Sequence, residues 1–469
     1  MKNKSLKIFC LILFGVASFY IFKNWQVYHD KSSIDIGKLE YSQVKLNIES
    51  VQSSAPAPIW FVKTENPVVA FHIKFKNEGE RSFYKTPMLL NVVLETLMEG
   101  AGNMDASELK KKLSDNSISI NINNSRNPDE ITIDVHTVSK NFKLAVDLLS
   151  DILAKAHLKK EKIEITKQGI VTCLNQCKFS PENLATYALS QTLYEKDHPY
   201  RRSLDEDLKR VPLYTKQDCD MCYASIFSSK DAVITVAGNV TKEEVAENFD
   251  SLLKAISFKK NDFKEVSQRA GIQHQDKVVH VEIDNPHATV LFALPGFLRT
   301  TPERFAMRFA NIAFGGCPFL ARLFKAVRDK NGLVYGVYSN PDELDMQSYI
   351  FGAAATRPEN IDSVITKIKE ECAKFFEKGI TKEELESFKT YIYASNVLDD
   401  TESVVNFVFN RRDDNIKLEN INSYLNNYYN LTLEDVNKSI KKIFDPKNLI
   451  FITSGKSLQK KEAKNENNN

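Results

Sequence analysis

The sequence lacks the features that mark several common functional classes of protein. Its 63 basic and 61 acidic residues nearly cancel, so the composition gives no case for nucleic-acid binding. Seven cysteines in 469 residues, an odd number, exclude a disulfide scaffold. The eight histidines are scattered and form no His-x-x-x-His pair of the kind that binds metal from one helix face. Gly315-Gly316 is not followed by Lys-Ser/Thr, so a phosphate-binding loop is not predicted.

Long apolar runs are also missing, with one exception near the N-terminus. Ile8–Phe22 carries no charge and is preceded by three lysines. A membrane span needs about 20 apolar residues, so this shorter run fits a signal peptide, although Trp25 and Tyr28 would also suit the interface of an uncleaved anchor. Both interpretations of residues 1–30 predict export. Because the segment is apolar rather than Arg-rich, we expect a bacterial periplasmic location, free or anchored to the membrane.

The sequence does contain a long internal repeat. IFSSKDAVITVAG at 226–238 matches IFDPKNLIFITSG at 443–455 without a gap, an offset of 217 residues, and TKQD at 215–218 matches TLED at 432–435 with the same offset. A repeat of this length indicates two copies of a domain, and the chain is too long for one hydrophobic core. The predicted parts are an N-terminal domain at 36–256, a polar linker at 257–277, a homologous C-terminal domain at 278–456 and a disordered tail at 457–469.

Each copy opens with an alternating strand. In the first copy the apolar residues of one face are Val69, Phe71, Ile73 and Phe75, and ATVLFAL at 288–294 opens the second copy. A helix with a Thr cap and Pro in its first turn is predicted next, at Thr86-Pro87 and at Thr301-Pro302. Strands and helices are mixed, so the predicted fold class is α+β: two homologous domains, each a mostly antiparallel sheet with helices packed on one face.

Several longer stretches carry a family resemblance. They are LETLMEGAGNMDASELKKKLSDNSISI at 94–120, DHPYRRS at 197–203, GGCPFLARLFKAVRDKNGLVYGVYS at 315–339, TRPENIDSVI at 356–365 and EKGITKEELESFK at 377–389. Together they resemble the pitrilysin/insulinase-type metallopeptidases, in the branch of mitochondrial processing peptidase and its bacterial relatives. The resemblance implies two half-shells that enclose an unfolded peptide. One carries zinc through His-x-x-Glu-His and a distal glutamate, and the other lacks these ligands and supplies an Arg and a Tyr toward the substrate.

The stretch NVVLETLMEGAG at 91–102 stands where such a zinc helix would be. Val92 and Thr96 occupy the two histidine positions, and neither side chain is a useful zinc ligand at neutral pH. The distal glutamate is expected at 169–177, which reads GIVTCLNQC and contains no carboxylate. We therefore predict no metal, no cofactor and no catalytic residue on this chain. Glu95 matches the general base and is interpreted either as its remnant or as an ordinary polar position on a packed helix.

The cysteines and one histidine offer weaker signals. Cys219 and Cys222 form a CxxC, and Cys173 and Cys177 are spaced i,i+4 near the missing distal ligand. The repeat aligns the CxxC with a Val and a Ser, so we interpret it as small residues of an amphipathic helix rather than as a metal or redox centre. His198, in DHPYRRS, is interpreted as structural.

Arg328 and Tyr335 are the positive signal. A helix predicted at 317–331, ending at Asn331-Gly332, carries Arg328 in its last turn, and Tyr335 follows in the strand LVYGVYS. By resemblance these residues match the Arg/Tyr pair that contacts substrate near the scissile bond. A guanidinium and a phenol can both donate to a carbonyl oxygen that becomes negative during attack. The alternative is that Arg328 caps its helix and Tyr335 packs in the sheet.

Three hypotheses for function follow. The first is a zinc-free subunit of an exported peptidase pair, whose homologous partner carries His-x-x-Glu-His and zinc, and whose substrate is a peptide or unfolded segment. The second is a structural core protein of a membrane complex, which would need neither Arg328 nor Tyr335. The third, a stand-alone zinc peptidase with unusual ligands, is the least favoured, because neither 92–96 nor 169–177 offers a ligand set.

Overall fold

The computed structural model describes residues 45–53, 58–76, 86, 88–124, 130–196, 198, 200–230, 232–256, 277–343, 348–396 and 398–457. These residues all belong to one compact unit. The predicted leader at 1–30 lies outside the described residues, as do most of the linker and of the tail, and the predicted domain boundaries stay predictions. None of the described helices combines the length and the apolar character needed to cross a membrane.

The described strands form two large sheets and one small ribbon. The strands are β1 (Ile48–Val51), β2 (Ile59–Lys63), β3 (Val68–Lys76), β4 (Gly100–Ala101), β5 (Met104–Asp105), β6 (Ser119–Asn124), β7 (Glu130–Val138), β8 (Ala232–Gly238), β9 (Lys277–Glu282), β10 (Ala288–Pro295), β11 (Val334–Glu343), β12 (Ser348–Thr356) and β13 (Ile450–Gly455). The N-terminal sheet has the order β1-β2-β8-β3-β7-β6, and the C-terminal sheet has the order β11-β12-β10-β13-β9.

The two sheets share one topology. Read from its β6 edge, the N-terminal sheet runs β6-β7-β3-β8-β2, which corresponds strand for strand to β11-β12-β10-β13-β9. Each sheet is antiparallel except for one pair, β2 with β8 and β9 with β13. The predicted α+β fold of two homologous, mostly antiparallel sheets is therefore confirmed, and β1 is an addition to the first copy.

The described helices are distributed over both copies. They are α1 (Leu89–Thr96), α2 (Ala106–Asp115), α3 (Phe142–Lys155), α4 (Lys160–Cys177), α5 (Pro181–Leu193), α6 (Leu204–Arg210), α7 (Lys216–Ile226), α8 (Lys242–Ala255), α9 (Arg304–Asn311), α10 (Ile361–Lys378), α11 (Lys382–Ala394), α12 (Thr401–Asp413), α13 (Asn426–Tyr429) and α14 (Leu433–Ile443), with wider π-helical turns at Ile312–Gly316 and Phe324–Asp329.

The helix that precedes β8 and the helix that precedes β13 begin with the same local motif. Thr215 and Asp218 form a capping box at α7, and Thr432 and Asp435 form the equivalent box at α14. In each box the threonine hydroxyl and the aspartate carboxylate satisfy each other's backbone N–H groups, which would otherwise lack intrahelical partners. The two boxes are separated by the 217-residue offset read from the sequence.

The predicted Thr caps of α1 and α9 are wrong. Both helices begin three residues after the predicted threonine, and their actual N-cap side chains make no capping hydrogen bond. Thr86 and Thr301 instead use their carbonyl oxygens, which accept from the N–H of Leu89 at 2.9 Å and of Arg304 at 3.1 Å. A backbone turn therefore precedes each helix, and the threonine stands at its start rather than at the cap.

Most helices pack on one face of the sheet of their own copy. Val69, Phe71, Ile73 and Phe75 form the inner row of β3 and are fully buried against helices of the first copy. In the second copy, residues of β10 including Phe292 pack in the same way against α9, α10, α11 and α14. Because side chains alternate along a strand, each of these rows accounts for one sheet face only.

One helix from each copy crosses to the other copy. Residues of α5 pack against β10 and β13 of the C-terminal sheet, and residues of α12 pack against β2, β3 and β8 of the N-terminal sheet. Arg412 of α12 donates to the carbonyl oxygens of Ile234 and Pro58, both at 2.7 Å, and lies over the Trp60 ring. The exchange is reciprocal, because α5 and α12 occupy equivalent places in the repeat, and it covers the second face of each sheet.

A buried ionic cluster holds the far end of β11. Arg308 of α9 donates to both carboxylate oxygens of Glu343, at 2.7 and 2.6 Å, and to both of Asp414, at 2.9 and 2.6 Å. Tyr424 donates to Asp414 at 3.1 Å. Burial opposes the charge of Arg308, but the hydrogen bonds to the two carboxylates outweigh burial and raise its pKa. The cluster therefore links α9, the end of β11 and the end of α12.

Candidate functional site

In α1, the two positions that would hold the zinc-binding histidines are occupied by side chains packed in the core. Val92 and Thr96 lie on the buried face of α1 and are 0% and 1% exposed. The Thr96 hydroxyl donates to the Val92 carbonyl at 2.6 Å and lies 3.2 Å from the Thr166 hydroxyl of α4. Its hydrogen-bonding capacity is thus used within the helix pair. Neither position presents a donor atom to an open site, where a catalytic zinc needs a free position for water.

The helix expected to supply the distal ligand offers no replacement. The residue of α4 that approaches Thr96 is Thr166, which lies just before the predicted interval 169–177. Within that interval Ile170 and Leu174 are buried and Cys173 is exposed. Over the part of the chain that the structure describes, no group of three or more His, Cys, Asp or Glu side chains is placed to hold a metal. The residues present do not fit the zinc that the resemblance implies.

Glu95 points away from this packed face. Its side chain is exposed, while neighbouring groups partly desolvate the carboxylate, and this desolvation raises the pKa of Glu95. A general base acts on a water that a metal or another group has polarised. Val92 and Thr96 are buried and offer no ligand for such a metal beside Glu95, which favours the interpretation as an ordinary polar position.

The CxxC pair lies in the core. Cys219 and Cys222 are fully buried on α7, and neither forms a disulfide. Burial raises the pKa of Cys219 to about 12. Metal binding and thiol–disulfide exchange need the thiolate, so this pair has the character of small apolar residues. The equivalent residues of α14 are Val436 and Ser439, which are also buried.

We expect the buried thiols to resist alkylation while Cys173, on the exposed face of α4, reacts. A thiol with a pKa near 12 carries about a thousandth of the thiolate of an ordinary thiol at pH 8. Treating the folded protein with N-ethylmaleimide and mapping the modified peptides by mass spectrometry should therefore show label at Cys173 well before Cys219 or Cys222. Unfolding in urea should equalise the rates. Rapid labelling of Cys219 in the folded state would reject this assignment.

His198 is a packing residue. Its ring stacks on Tyr194 at 4.6 Å between centroids, and its Nδ1 accepts from the Tyr200 N–H at 3.1 Å. Burial lowers the pKa of His198, so the neutral ring predominates at neutral pH. The adjacent Arg201 donates to the carbonyl oxygens of Gln191 and Tyr194. The DHPYRRS stretch thus closes the C-terminal end of α5, which agrees with the structural interpretation.

Arg328 lies in the π-helical turn Phe324–Asp329. The predicted stop is present: Gly332 has φ 61°, its N–H donates to the Arg328 carbonyl at 2.8 Å, and the Leu333 N–H donates to the Val327 carbonyl at 3.2 Å. A left-handed glycine with these two bonds is a common helix ending. The predicted helix start at 317 is wrong, because helical conformation begins at 322 after a separate turn. The Arg328 side chain is exposed, with its guanidinium 4.8 Å from the Phe324 ring centroid.

Tyr335 follows at the start of β11. The register of β11 shifts between Val334 and Gly336, so Tyr335 occupies a bulge, and its side chain is 59% exposed. A hydrogen bond with Tyr335 raises the pKa of Arg357, and the His287 ring lies 6.3 Å from the Tyr335 ring. Bulges often re-aim a side chain near functional sites. The structure thus leaves both predicted residues at the surface, but no described hydrogen bond joins Arg328 to Tyr335.

Strand β11 is the terminal strand of the C-terminal sheet among the described strands. Its backbone is held from the helix side. Asn311 donates to the Ser339 carbonyl at 3.0 Å, and the Ser339 hydroxyl donates to the Asn311 side chain at 2.8 Å. A Cβ at Gly315 would lie 2.8 Å from the Ser339 nitrogen, so only glycine permits this approach. The Gly-Gly pair, which the resemblance implied to be a bend between helices, thus brings the π-helical turn against β11.

The neighbours of Tyr335 and the support of β11 were not predicted. Arg357 belongs to the TRPENIDSVI stretch, which contributed to the resemblance without a role of its own, and His287 precedes β10. Neither shows a spacing that would associate it with Tyr335 in the sequence. The glycine pair was the only available signal for the close packing on β11.

The comparisons with known proteins agree with one another. Residues 214–391 match the family described as peptidase M16 inactive domain. The non-peptidase homolog YmxG of Helicobacter pylori is 22% identical over 399 residues, which are 84% of this chain and 90% of that protein. An uncharacterized zinc protease of Streptomyces coelicolor is 26% identical over 270 residues, 56% of this chain and 58% of that protein.

Solved structures share the fold. The peptidase M16 inactive domain from Pseudomonas fluorescens has a TM-score of 0.79 at 20% identity, covering 88% of this chain and 98% of that chain. The periplasmic protease PqqL from Escherichia coli has a TM-score of 0.71 at 18% identity, covering 89% of this chain but 46% of PqqL. This chain therefore spans about half the length of PqqL.

Two sheets of one topology, covered by helices and by a reciprocal helix exchange, define a peptidase-like fold whose zinc positions are filled by core residues. Residues 214–391 match the peptidase M16 inactive domain, and the chain shares its fold with a solved structure of that domain, so the predicted resemblance is confirmed. The match to the inactive domain of the family also agrees with the prediction that the chain is not a self-sufficient peptidase.

Proposed function

We propose that this chain is the zinc-free subunit of an exported peptidase pair, in which it binds the peptide and contributes contacts to the reacting carbonyl. One observation carries the proposal: the metal helix is filled by Val92 and Thr96, whereas Arg328 and Tyr335 remain at the surface beside β11. The second hypothesis, a structural core protein, would need neither of these two donors. The relatives, named both as non-peptidase and as zinc protease, and a neighbour named as a periplasmic protease support the proposal.

The partner in this proposal is a homologous chain with an intact His-x-x-Glu-His. That partner would provide the zinc, the attacking water and the general base. The reaction would be cleavage of peptides or unfolded segments. Location in the periplasm, with or without a membrane anchor, belongs to the same proposal.

The contribution of this chain would have two parts. A peptide in extended conformation can add to the outer side of β11, where the strand backbone supplies hydrogen bonds and alternate side chains face the two sides of the sheet. Arg328 and Tyr335 stand before the strand and in its first bulge, so their donors would lie at one end of such a peptide. There they could stabilise negative charge on a carbonyl oxygen during attack.

We expect Arg328→Ala and Tyr335→Phe each to lower the kcat/KM of a reconstituted pair by about 10- to 100-fold, because each removes one donor to the developing oxyanion. Both side chains are exposed, so assembly and the unfolding midpoint should not change. Peptidase assays with a fluorogenic peptide, together with size-exclusion chromatography of the pair, measure both quantities.

The matched control is Lys330→Ala, which removes an exposed cation two residues after Arg328. It should leave kcat/KM within about twofold of the wild type, since screened surface charges contribute little. If neither the Arg328 nor the Tyr335 variant reduces activity in a pair that assembles normally, the structural-core alternative is preferred and the proposed role is rejected.

A further inference from the structure

Phe319 stands at the surface in a backbone conformation that large side chains avoid. Its φ is 65°, and the Leu320 N–H donates to the Pro318 carbonyl at 2.8 Å, so the chain makes a three-residue turn centred on Phe319. Turns of this kind with positive φ at the central residue are rare and strained. The Phe319 side chain is nevertheless 56% exposed, so burial of its ring does not offset the strain.

The other positive-φ residues that are not glycine have ordinary explanations, over the part of the chain that the structure describes. Ser117 and Asn415 are small polar residues at helix ends, where such conformations are tolerated. Leu158 is buried, so its packing offsets the unfavourable backbone. Phe319 alone among them combines positive φ with an exposed aromatic side chain. Strain kept at an exposed residue is a reason to look for a function there.

The ring of Phe319 is linked to the Arg328 guanidinium through the ring of Phe324. It meets the Phe324 ring edge to face, at 5.1 Å between centroids and 78° between planes. Phe324 in turn carries the Arg328 guanidinium at 4.8 Å. Leu320, next to Phe319, is also partly exposed. The turn therefore places an apolar surface directly beside the guanidinium that we assign to peptide binding.

We propose that Phe319 and Leu320, backed by the buried ring of Phe324, form an apolar subsite for a bulky side chain of the peptide that Arg328 contacts. The inference rests on the proposed function and names its substrate class: peptides or unfolded segments with Phe, Leu or a similar residue beside the position held by Arg328. A glycine at 319 would adopt the turn without strain. It would offer the peptide no apolar surface, and this accounts for a phenylalanine at a strained position.

The test uses the full chain and two synthetic peptides of equal length and charge, one with Phe at alternate positions and one with Ser in their place. Phe319→Gly should weaken binding of the Phe peptide by about tenfold, the effect of losing part of one buried apolar side chain. It should leave the Ser peptide unaffected. Because it relieves the strain, it should also leave the thermal unfolding midpoint no lower than that of the wild type. Phe179→Ala, which removes a 75% exposed aromatic elsewhere, is the control and should change neither affinity.

Three outcomes separate the subsite from the proposed function. If Arg328→Ala weakens both peptides and Phe319→Gly weakens neither, the subsite is disproved and the proposed function stands. If Phe319→Gly lowers the unfolding midpoint sharply, or reduces only the association with a partner chain, the ring serves packing or assembly and the subsite is again disproved. If the wild-type chain binds neither peptide, both proposals fall.

Discussion

Arg308→Met should destabilise the protein by about 3–5 kcal/mol. The substitution keeps much of the side-chain volume but leaves the Glu343 and Asp414 carboxylates buried without their common partner, and breaking a buried ion pair from one side costs about this much. Urea denaturation followed by circular dichroism measures the change in the free energy of unfolding and does not require an activity assay. Since Glu343 ends β11, hydrogen exchange should also increase in that strand.

The loss should depend on pH in a defined direction. In the wild type, burial acts to raise the pKa of Asp414, but the hydrogen bonds from Arg308 outweigh burial and lower this pKa. Without Arg308, burial raises the pKa of Asp414 above its value in the unfolded chain. A raised carboxyl pKa gives stability that is present at low pH and is lost as pH rises through the folded-state value. The difference in the free energy of unfolding between variant and wild type should therefore narrow as the pH falls from neutral toward the range in which Asp414 takes up a proton.

Two further variants test the cause. Lys143→Met breaks the exposed ion pair with Asp147 and should cost less than about 1 kcal/mol. Adding Asp414→Asn to Arg308→Met removes one of the stranded charges and should restore part of the stability. If Arg308→Met is no more destabilising than Lys143→Met, the cluster does not hold the end of β11 in the way described.

Introducing histidines at positions 92 and 96 of α1 should not create a zinc site. Val92→His with Thr96→His places two larger, polar rings at positions that are now fully packed, and overpacking together with an unpaired buried polar group should cost at least about 2 kcal/mol. Two histidines without a third ligand also fall short of a catalytic zinc site. Elemental mass spectrometry of the purified double variant should show less than one zinc per chain. Adding zinc should not increase the thermal unfolding midpoint of this variant.

The position of Thr166 suggests a third substitution that tests the same prediction. Because its hydroxyl lies 3.2 Å from that of Thr96, Thr166→Glu is the change that brings a carboxylate closest to the two histidines. The triple variant should bind zinc more tightly than the double variant. Lys111→His with Asp115→His, the same spacing on the exposed face of α2, is the control and should neither destabilise the protein nor bind zinc tightly. One tightly bound zinc in the double variant would show that the packed site can open.

The structure confirms predictions that depend only on residues close in sequence or on the comparison of the two repeats. The alternating strands, the glycine ending at Gly332 and the 217-residue repeat depend on residues close in sequence, and the capping boxes at Thr215 and Thr432 lie where the repeat aligns them. The side-chain caps predicted at Thr86 and Thr301 were wrong, although they too depend on residues close in sequence. A threonine before a proline serves a turn carbonyl as well as a side-chain cap, and the sequence does not distinguish the two.

The sequence by itself determined that two copies of one α+β unit are present and that Val92 and Thr96 cannot act as a zinc pair, because periodicity and ligand chemistry are properties of the residues themselves. Only the tertiary structure decided that α5 and α12 exchange between the copies, that Thr166 closes on Thr96, and that Phe319 joins Arg328 through Phe324. These relations join side chains that are distant in sequence or depend on a single strained turn. Their geometry is set by how the packed elements meet, which no local pattern encodes.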